Sequence, residues 1–372
     1  MKVVFVCSSI GTTRGGIETT VLSLARALSD RHDVRVLGGR SLGHPPLNSG
    51  PGISVIWLPI LPRHGVVSSA AALVAGGLAP YGVESASFYG GFQLSKDAKR
   101  TISDSDVVSV HTKYDSVLFS RWASRRGVPS VFHIQGSKFG ALFGKYDRSS
   151  RYVAVSENSR KILTERFHLP IERTVTPGIP EEFLSTAREE ENFLLFVGRL
   201  QQSKGTSLLL QVFTALLRRF PTLELVVAGE GPERSTMEAT ARSMHLESSV
   251  RFLGSISHHE LLRFYAGALA LIFPSESEVF PLVPLEAMAA GCPVIASKIQ
   301  GVIESTGGNA IYPDSWDPID WTSTLTELIR NSPEREKLSV AGRRWAVKRT
   351  WKEVAISYEA ELGRAVEKGA RT

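Results

Sequence analysis

The segment LALIFPSESEVFPLVPLEAMAAGCPVIAS, residues Leu269 to Ser297, contains one complete strand–helix–strand pattern. An apolar run of strand length leads into a loop with two glutamates. An alanine-rich stretch follows, which begins near Pro284 and stops at Gly291, and the β-rich run PVIAS comes last. Proline suits the first turn of a helix, and glycine is common just after its end. A helix between two apolar strands is typical of a parallel sheet, so the segment predicts a βαβ unit.

The same alternation extends in both directions along the chain. Helical spacing of apolar residues recurs after the first predicted strand, at Ile17, Val21, Leu24 and Leu28. We predict strands at KVVFVCS, DVRVLGG, ISVIWLP, DVVSVH, SVFHIQG and YVAVS in the first half, and at FLLFVGR, LELVVAG, SVRFLGS, LALIFPS and PVIAS in the second. The predicted fold class is therefore α/β, with two doubly wound, Rossmann-like domains.

A linker separates the two series of strands. The segment TPGIPEEFLSTAREEEN, Thr176 to Asn192, combines proline, glycine and a run of glutamates, which is typical of a loop between domains. We predict a first domain at residues 1–177 and a second at residues 178–349. A chain of 372 residues is long enough for two such domains.

The composition is that of an ordinary water-soluble protein, with 42% apolar and 22% charged residues. The only cysteines, Cys7 and Cys292, are far apart, which argues against a disulfide framework or a zinc site and favours a cytoplasmic location. Asp104 and Asp106 precede a predicted strand, away from the edge where ligands bind. We therefore expect no metal and no other cofactor.

The charge is unevenly distributed. Residues 1–177 carry a formal charge of +10 and residues 178–372 carry −4. The basic half favours an acidic partner, such as an anionic membrane surface or a phosphorylated acceptor, but a solvated basic surface explains it equally well. The uncharged segment Gly65–Val83 is diluted by glycine, serine and proline, so it is a poor membrane span. Without a recognisable reading module, we expect no nucleic-acid partner.

The two glutamates of the first segment are candidate sugar-binding residues. Glu278 follows a strand, and Glu286 is predicted in the first turn of the next helix, whose free N–H groups suit a phosphate. Carboxylates in such positions accept hydrogen bonds from sugar hydroxyls, as an acidic residue does for ribose in dinucleotide sites. Spacing alone favours the simpler interpretation of one exposed loop charge and one helix-terminal charge.

Cations, glycines and histidines also follow the predicted strands. Arg199 and Lys204 suit a diphosphate, although the order Lys-Gly is not that of a P-loop. Gly15 and Gly16 begin a helix, where a ligand can approach the backbone closely. His133 ends a strand, as does His111, and such a histidine is as often a packing residue as a functional one. Solvated loop charges remain the alternative for both cations.

These pieces, in this order, resemble the retaining GT-B glycosyltransferases of group 1 (family 4). The resemblance covers nearly the whole chain. Its most specific element is the E-x7-E pattern from Glu278 to Glu286. The other matching segments are GGIE, FHIQG, VSENSR, FVGRLQQSKG, VAGEGPE and VRFLGSIS.

The resemblance implies a GT-B fold, with the two domains facing one another across a cleft. It also implies a last helix, at about residues 350–372, that returns to the first domain. Arg199 and Lys204 would contact the diphosphate, and Glu278 would hold the transferred sugar. His133 would orient hydroxyls beside it. The implied donor-binding residues are Gly15, Gly16, Gly198, Gly229, Glu230, Gly231, Val279, Phe280, Pro281, Leu282, Val283 and Glu286, with Glu286 on the ribose.

The activity implied is retaining transfer of a hexose from a UDP- or GDP-sugar, with UDP-glucose favoured, to a hydroxyl of a glycan or lipid-linked acceptor. Peripheral contact with the inner membrane face would fit such an acceptor. Two alternatives share the architecture, namely a sugar-nucleotide epimerase and a non-catalytic nucleotide-sugar binder. Family members often carry glycine where this chain has Val279 and Pro281. Proline has no N–H, so it excludes a backbone donor at Pro281.

Overall fold

The computed structural model describes residues 1–11, 15–41, 53–60, 83–136 and 150–370. The uncharged segment Gly65–Val83, which we predict to be a poor membrane span, lies outside these residues apart from Val83. The chain divides into two compact units. The first combines Met1–Pro177 with Trp351–Thr372, and the second is Gly178–Thr350.

A parallel sheet of seven described strands forms the centre of the first unit. The sheet order is β3-β2-β1-β4-β5-β6-β7. The strands are β1 (Lys2–Cys7), β2 (Asp33–Ser41), β3 (Ser54–Ile60), β4 (Val107–Val110), β5 (Ser130–Ile134), β6 (Arg151–Ala154) and β7 (Ile171–Thr174).

The helices of the first unit connect these strands. They are α1 (Gly16–Ser29), α2 (Val83–Leu94), α3 (Lys96–Ser103), α4 (Lys113–Ser124) and α5 (Glu157–Phe167). Three of them begin at a serine or threonine whose hydroxyl accepts a backbone N–H of the first turn, namely Ser95, Thr112 and Ser156. Such caps stabilise a helix start by about 1 kcal/mol.

The second unit repeats the design with a five-stranded parallel sheet of order β10-β9-β8-β11-β12. Its strands are β8 (Phe193–Val197), β9 (Glu224–Ala228), β10 (Val250–Gly254), β11 (Ala270–Phe273) and β12 (Val294–Ala296). Its helices are α6 (Thr206–Leu217), α7 (Arg234–Ser243), α8 (His258–Gly267), α9 (Leu282–Ala289), α10 (Gln300–Thr306), α11 (Pro318–Arg330) and α12 (Ser332–Ala346).

The last helix, α13 (Trp351–Gly369), belongs to the first unit although it follows the second in sequence. It buries Tyr358, Leu362 and Ala365. The Tyr358 hydroxyl lies 2.6 Å from Ser109 Oγ in β4. Buried Glu361 pairs with Arg151 at the start of β6 and with Arg364 one turn along its own helix. These contacts attach α13 to the sheet of the first unit.

Both sheets have the doubly wound strand order, in which successive strands are added first on one side and then on the other. The direction of addition reverses between β1 and β4 in the first unit, and between β8 and β11 in the second. Loops that leave two such strands diverge at their carboxyl ends, and ligands of open α/β sheets bind in the crevice between them. The predicted α/β fold of two doubly wound units is confirmed.

Alternate residues of the second sheet pack into two separate hydrophobic clusters. In β11, for example, Leu271 and Phe273 join one cluster, whereas Ala270 and Ile272 join the other. Both faces of the strand are therefore covered by helices. This explains why its sequence is a continuous apolar run instead of an alternating one.

Helix α9 has the limits that its sequence predicts. Pro281 is its N-cap residue and Pro284 lies in its first turn, where a missing N–H costs nothing. Beyond its end, Gly291 has a φ of +83°. Arg343 Nη2 donates to the carbonyl of Ala290 over 2.9 Å. This bond satisfies one of the carbonyls that a helix end leaves unpaired.

Candidate functional site

Lys204 lies at the switch point of the second sheet. The loop after β8 makes a short 3-10 turn, Gln202–Lys204, and Gly205, with a φ of +71°, is the N-cap of α6. A Cβ atom on Gly205 would lie 2.1 Å from the carbonyl oxygen of Pro274, in the loop after β11. Glycine therefore allows the two loops to touch at this point. As a result, Lys204 is brought beside the second loop.

The ammonium group of Lys204 forms an ion pair with Glu278, which is 74 residues further along the chain. Both side chains are largely buried, with exposed fractions of 20% and 15%. Ser275 Oγ donates a second hydrogen bond to the same oxygen, Glu278 Oε1, over 2.8 Å. The sequence patterns predicted both charged residues in the site, but not that they contact one another.

The second carboxylate oxygen of Glu278 remains available. Lys204 and Ser275 both donate to Oε1. No donor among the described residues bonds to Oε2. A carboxylate oxygen can accept more than one hydrogen bond. Glu278 is therefore held in one orientation while it presents a free acceptor. Such an arrangement suits a hydroxyl group.

Glu286 lies deeper than its sequence position suggests. The prediction that it occupies the first turn of α9 is wrong, because the helix begins at Leu282 and its first turn contains no acidic residue. The side chain is directed into the unit and is 4% exposed. The Tyr265 hydroxyl donates to Glu286 Oε2 over 3.0 Å, and His258 Nε2 lies 3.7 Å from Oε1.

Burial raises the pKa of Glu286, while His258 and the Tyr265 hydrogen bond act in the opposite direction. The same cluster raises the pKa of the Tyr265 hydroxyl well above its usual value, through burial first and the neighbouring carboxylate second. Tyr265 therefore remains a hydrogen-bond donor throughout the physiological pH range.

The segment between the two glutamates places its residues at the start of α9. Val279, Phe280, Leu282 and Val283 are partly buried, and Pro281 is buried as the N-cap. A Cβ atom on Gly301 would lie 2.3 Å from the carbonyl oxygen of Glu278. The start of α10 therefore packs closely against this loop. Arg199 is exposed, and no ion pair joins it to any other residue that the structure describes.

The predicted donor-binding glycines of the second unit connect adjacent loops. The N–H of Gly198 donates to Ala228 over 3.0 Å, and that of Gly229 donates to Gly254 over 2.8 Å. Glu230 pairs with Arg234 at the surface, and Gly231 follows it at the start of the turn into α7. The N–H groups of Gly198 and Gly229 are thus already used within the protein.

In the first unit, Gly15 is the N-cap of α1 and Gly16 is its first residue. Apart from its chain neighbours and its own helix backbone, no atom of the described residues would lie within 4 Å of a Cβ atom on Gly16. The described residues therefore leave room for a group that approaches this helix start. The acidic residue of the first turn, Glu18, is buried and accepts a hydrogen bond from Ser9.

His133 is completely buried near the carboxyl end of β5, with an exposed fraction of 0%. Its Nε2 lies 2.9 Å from the carbonyl oxygen of Val175, and its Nδ1 lies 3.3 Å from Nε2 of Gln135. Burial lowers the pKa of His133 to about 4. Both ring nitrogens are thus engaged by the protein, and the imidazole is neutral at pH 7.

The sequence analysis did not identify four polar residues that contact the predicted site residues, namely Ser275, Tyr265, His258 and Gln135. Tyr265 and His258 lie on α8, whose apolar residues identify it only as a packing helix. Ser275 and Gln135 directly follow strands, and that position is the one signal that could have indicated them.

Two further observations concern other kinds of site. Among residues 1–11, 15–41, 53–60, 83–136 and 150–370, no group of three or more histidines, cysteines or acidic residues could hold a metal ion. None of the helices formed by these residues is both long and apolar enough to cross a membrane.

Two family models match consecutive parts of the chain. The model described as glycosyl transferases group 1 matches residues 180–345, and the glycosyl transferase 4-like domain matches residues 15–177. The chain belongs to the group 1 glycosyltransferases. The predicted family is thereby confirmed, and its two models divide the chain at nearly the same point as the two units.

Curated relatives of this glycosyltransferase match part of its sequence. It is 34% identical over 180 residues to D-inositol 3-phosphate glycosyltransferase of Corynebacterium diphtheriae, covering 46% of this chain and 42% of that protein. It is 33% identical over 228 residues to the protein of the same name in Frankia alni, covering 54% of this chain and 56% of that protein. The chain thus matches about half the length of these relatives.

Solved structures match the glycosyltransferase over almost its full length. Anabaena HepE, solved in complex with UDP and glucose, has a TM-score of 0.73 at 17% identity, with 98% of this chain and 99% of that chain covered. Sucrose-phosphate synthase from Thermosynechococcus elongatus has a TM-score of 0.73 at 16% identity, with 98% of each chain covered. These similarities confirm the predicted GT-B fold.

Proposed function

We propose that the chain is a retaining hexosyltransferase. It transfers a hexose from a nucleotide diphosphate sugar, with UDP-glucose as the favoured donor, to a hydroxyl of a glycan or lipid-linked acceptor. The observation that carries the proposal is the arrangement at the switch point of the second sheet. There, Lys204 and Ser275 orient Glu278 and leave Glu278 Oε2 free to accept a hydrogen bond.

The diphosphate of the donor binds at the cations of the loop after β8. Arg199 offers a planar fork of donors and Lys204 a compact charge, and both types of group bind phosphate oxygens. Negative charge develops on the diphosphate as its bond to the anomeric carbon breaks. Cations already in place stabilise that charge with little reorganisation. Lys204 therefore exchanges part of its contact with Glu278 for a contact with phosphate.

Glu278 accepts hydrogen bonds from hydroxyls of the hexose through its free oxygen. In this role the carboxylate orients the sugar and does not attack it. Retaining glycosidases instead use two carboxylates on either side of the bond, about 5 Å apart. The resemblance to the group 1 glycosyltransferases instead favours substitution on one face of the sugar, without a carboxylate nucleophile. An oxygen of the departing diphosphate then takes up the proton of the attacking acceptor hydroxyl.

Two observations from other proteins support the choice of substrates. HepE was solved with UDP and glucose and also with UDP-glucose, which favours a uridine donor. The curated relatives are named for D-inositol 3-phosphate, a phosphorylated polyol. A phosphorylated hydroxyl acceptor would also suit the basic first half of the chain. Such an acceptor, free or linked to a lipid, is consistent with peripheral attachment to an anionic membrane.

The experiment that tests the proposal incubates the purified protein with UDP-glucose or GDP-mannose, with and without D-inositol 3-phosphate or a lipid-linked glycan. Proton NMR of the product reads the anomeric configuration directly. We expect transfer from UDP-glucose and an α-linked product, which retains the configuration of the donor. A β-linked product would contradict the retaining mechanism.

Two other outcomes would identify the alternative activities. An isomerised nucleotide sugar formed without any acceptor would indicate an epimerase. Binding of UDP-glucose with neither transfer nor slow hydrolysis would indicate a non-catalytic binder. A thermal-shift series with the same nucleotides distinguishes binding from its absence, because a ligand of the folded state raises the melting temperature.

A further inference from the structure

Gln135 follows β5 and is partly buried beside the two strand-end histidines of the first unit. Its Nε2 lies 3.3 Å from Nδ1 of His133 and 3.4 Å from Nδ1 of His111. One amide group thus faces two imidazoles at the carboxyl ends of neighbouring strands. The three side chains form a polar cluster. The hydrogen bonds that the two histidines make to Val175 and Ser109 determine the orientation of the amide.

The tautomer of His133 is determined by Val175. The Val175 carbonyl oxygen can only accept, so the Nε2 atom that faces it over 2.9 Å carries the proton. Burial lowers the pKa of this ring to about 4, and the imidazole is therefore neutral at pH 7. Its Nδ1 atom then has no proton and can only accept. The group that faces Nδ1 must donate, which assigns the NH2 group of Gln135 to this position.

The hydrogen bonds of His111 agree with the amide orientation that His133 requires. Since Gln135 directs its NH2 group toward both rings, His111 Nδ1 is also an acceptor, and His111 Nε2 carries the proton. That N–H donates to Ser109 Oγ over 2.9 Å. The Ser109 hydroxyl can then donate to the oxygen of Tyr358, 2.6 Å away. Burial, followed by the nearby His133, lowers the pKa of His111 and keeps it neutral.

Both N–H groups of the Gln135 amide are therefore engaged, and its carbonyl points away from the histidines. Among the residues that the structure describes, no donor bonds to Gln135 Oε1. The amide cannot exchange its oxygen and nitrogen without placing an acceptor opposite two acceptors. A hydrogen-bond acceptor held in one direction, at the carboxyl edge of a parallel sheet, suits a ligand hydroxyl.

We propose that Gln135 binds a sugar hydroxyl of the transfer reaction through Oε1, and that His133 and His111 are positioning residues that hold its amide. This inference rests on the proposed function. It replaces the direct contact between His133 and substrate that the family resemblance implies. His133 is completely buried, whereas Gln135, which follows it by two residues, is partly exposed as a residue.

The test compares Gln135→Met, Gln135→Glu and the unchanged enzyme, with Gln93→Met as the control at an exposed glutamine of the same unit. UDP-glucose is the donor, and the release of UDP is measured with and without acceptor. We expect Gln135→Met to lower kcat/KM for transfer by roughly tenfold to a hundredfold, the effect of one lost hydrogen bond to substrate. UDP affinity and melting temperature should stay at the values of the Gln93→Met control.

Comparing hydrolysis with transfer locates the hydroxyl. A loss in both reactions places it on the donor hexose, and a loss in transfer alone places it on the acceptor. The pH dependence of the activity of Gln135→Glu distinguishes histidines that orient this side chain from histidines with a merely structural role. Its carboxylate faces two unprotonated nitrogens at neutral pH, so the variant should recover activity as the pH falls and the imidazoles take up protons.

Transfer by Gln135→Met at the rate of the parent enzyme would overturn the inference and leave the proposed function intact. A Gln135→Glu variant whose pH profile matches that of the parent would overturn the role of the histidines. A parent enzyme that neither transfers nor hydrolyses UDP-glucose or GDP-mannose would overturn the proposed function and this inference together.

Discussion

The hydroxyl of Tyr265 donates a hydrogen bond to Glu286 over 3.0 Å, and both side chains are buried within the second unit. The bond connects α8 to α9 and supplies one of the polar contacts of this carboxylate. A buried carboxylate that loses a donor is costly, because its desolvation is then less well compensated. The pair therefore stabilises the packing of α9, the helix that follows the loop with Glu278, against α8.

Replacing Tyr265 by phenylalanine should lower the free energy of unfolding by about 1.5–3 kcal/mol, which is typical of a hydrogen bond to a charged group. Tyr312→Phe is the matched control, because the Tyr312 hydroxyl lies 2.6 Å from a neutral partner, Thr306 Oγ1. It should cost about 0.5–1.5 kcal/mol. Urea unfolding of the two variants provides the comparison, and equal losses would indicate that the carboxylate adds nothing to the Tyr265 bond.

Glu286 should make the stability of the protein depend on pH. Its pKa in the folded state is raised from 4.5, chiefly by burial, so the folded protein binds a proton more tightly than the unfolded chain. The stabilising contribution is complete below the unfolded value and is lost as the pH rises through the folded value. Glu286→Gln removes this titration.

The unfolding free energy of Glu286→Gln, relative to the parent, should therefore increase between pH 4 and pH 8. Parallel urea titrations at several pH values measure that difference. A difference that stays constant, or that falls with pH, would show that the folded-state pKa of Glu286 is not raised.

Gly205 should tolerate alanine poorly for two separate reasons. Its φ is +71°, and an added Cβ would lie 2.1 Å from the backbone oxygen of Pro274. Gly308 provides the control, since its φ is +77° but a Cβ there would meet no atom of the described residues within 4 Å. Gly308→Ala should cost about 1–2 kcal/mol from the left-handed backbone alone, and Gly205→Ala more than that. Chemical denaturation of both variants tests the difference, and equal costs would refute close contact between the two loops.

Lys204→Ala should reduce turnover by roughly a hundredfold or more, as expected when a group that stabilises transition-state charge is removed. Lys337→Ala is the control, because Lys337 forms an exposed ion pair with Glu334 over 3.5 Å on the same unit. Exposed pairs of this kind contribute about 0–1 kcal/mol, so that variant should behave like the parent. Steady-state kinetics with UDP-glucose provides the measurement, and near-normal transfer by Lys204→Ala would refute its role.

Most strands could be predicted because they are apolar runs of strand length between turn residues, continuous in β8 and β11 and interrupted by an arginine in β2 and β10. The exception is β7, Ile171–Thr174, which was missed. It is a four-residue strand at the edge of the sheet with only one buried residue, so it lacks the apolar run that identified the others. The linker prediction covers the junction between Pro177 and Gly178, where the two units divide.

The site was less predictable than the fold, because its contacts join distant parts of the chain. Spacing places Lys204 and Glu278 after different strands, but only the strand order makes those strands neighbours. Glu286 was wrongly placed in the first turn of α9, since the helix begins at Leu282, directly after its N-cap Pro281. The enclosure of His133 depends on Val175 and Gln135, which no local pattern connects to it.

A crystal structure of the protein with UDP would show directly what Lys204 contacts when a donor nucleotide binds. We expect the diphosphate to lie at the loops after β8 and β11, with Lys204 Nζ within hydrogen-bond distance of a phosphate oxygen. UDP bound elsewhere, with the Lys204–Glu278 ion pair unchanged and no contact to phosphate, would contradict it.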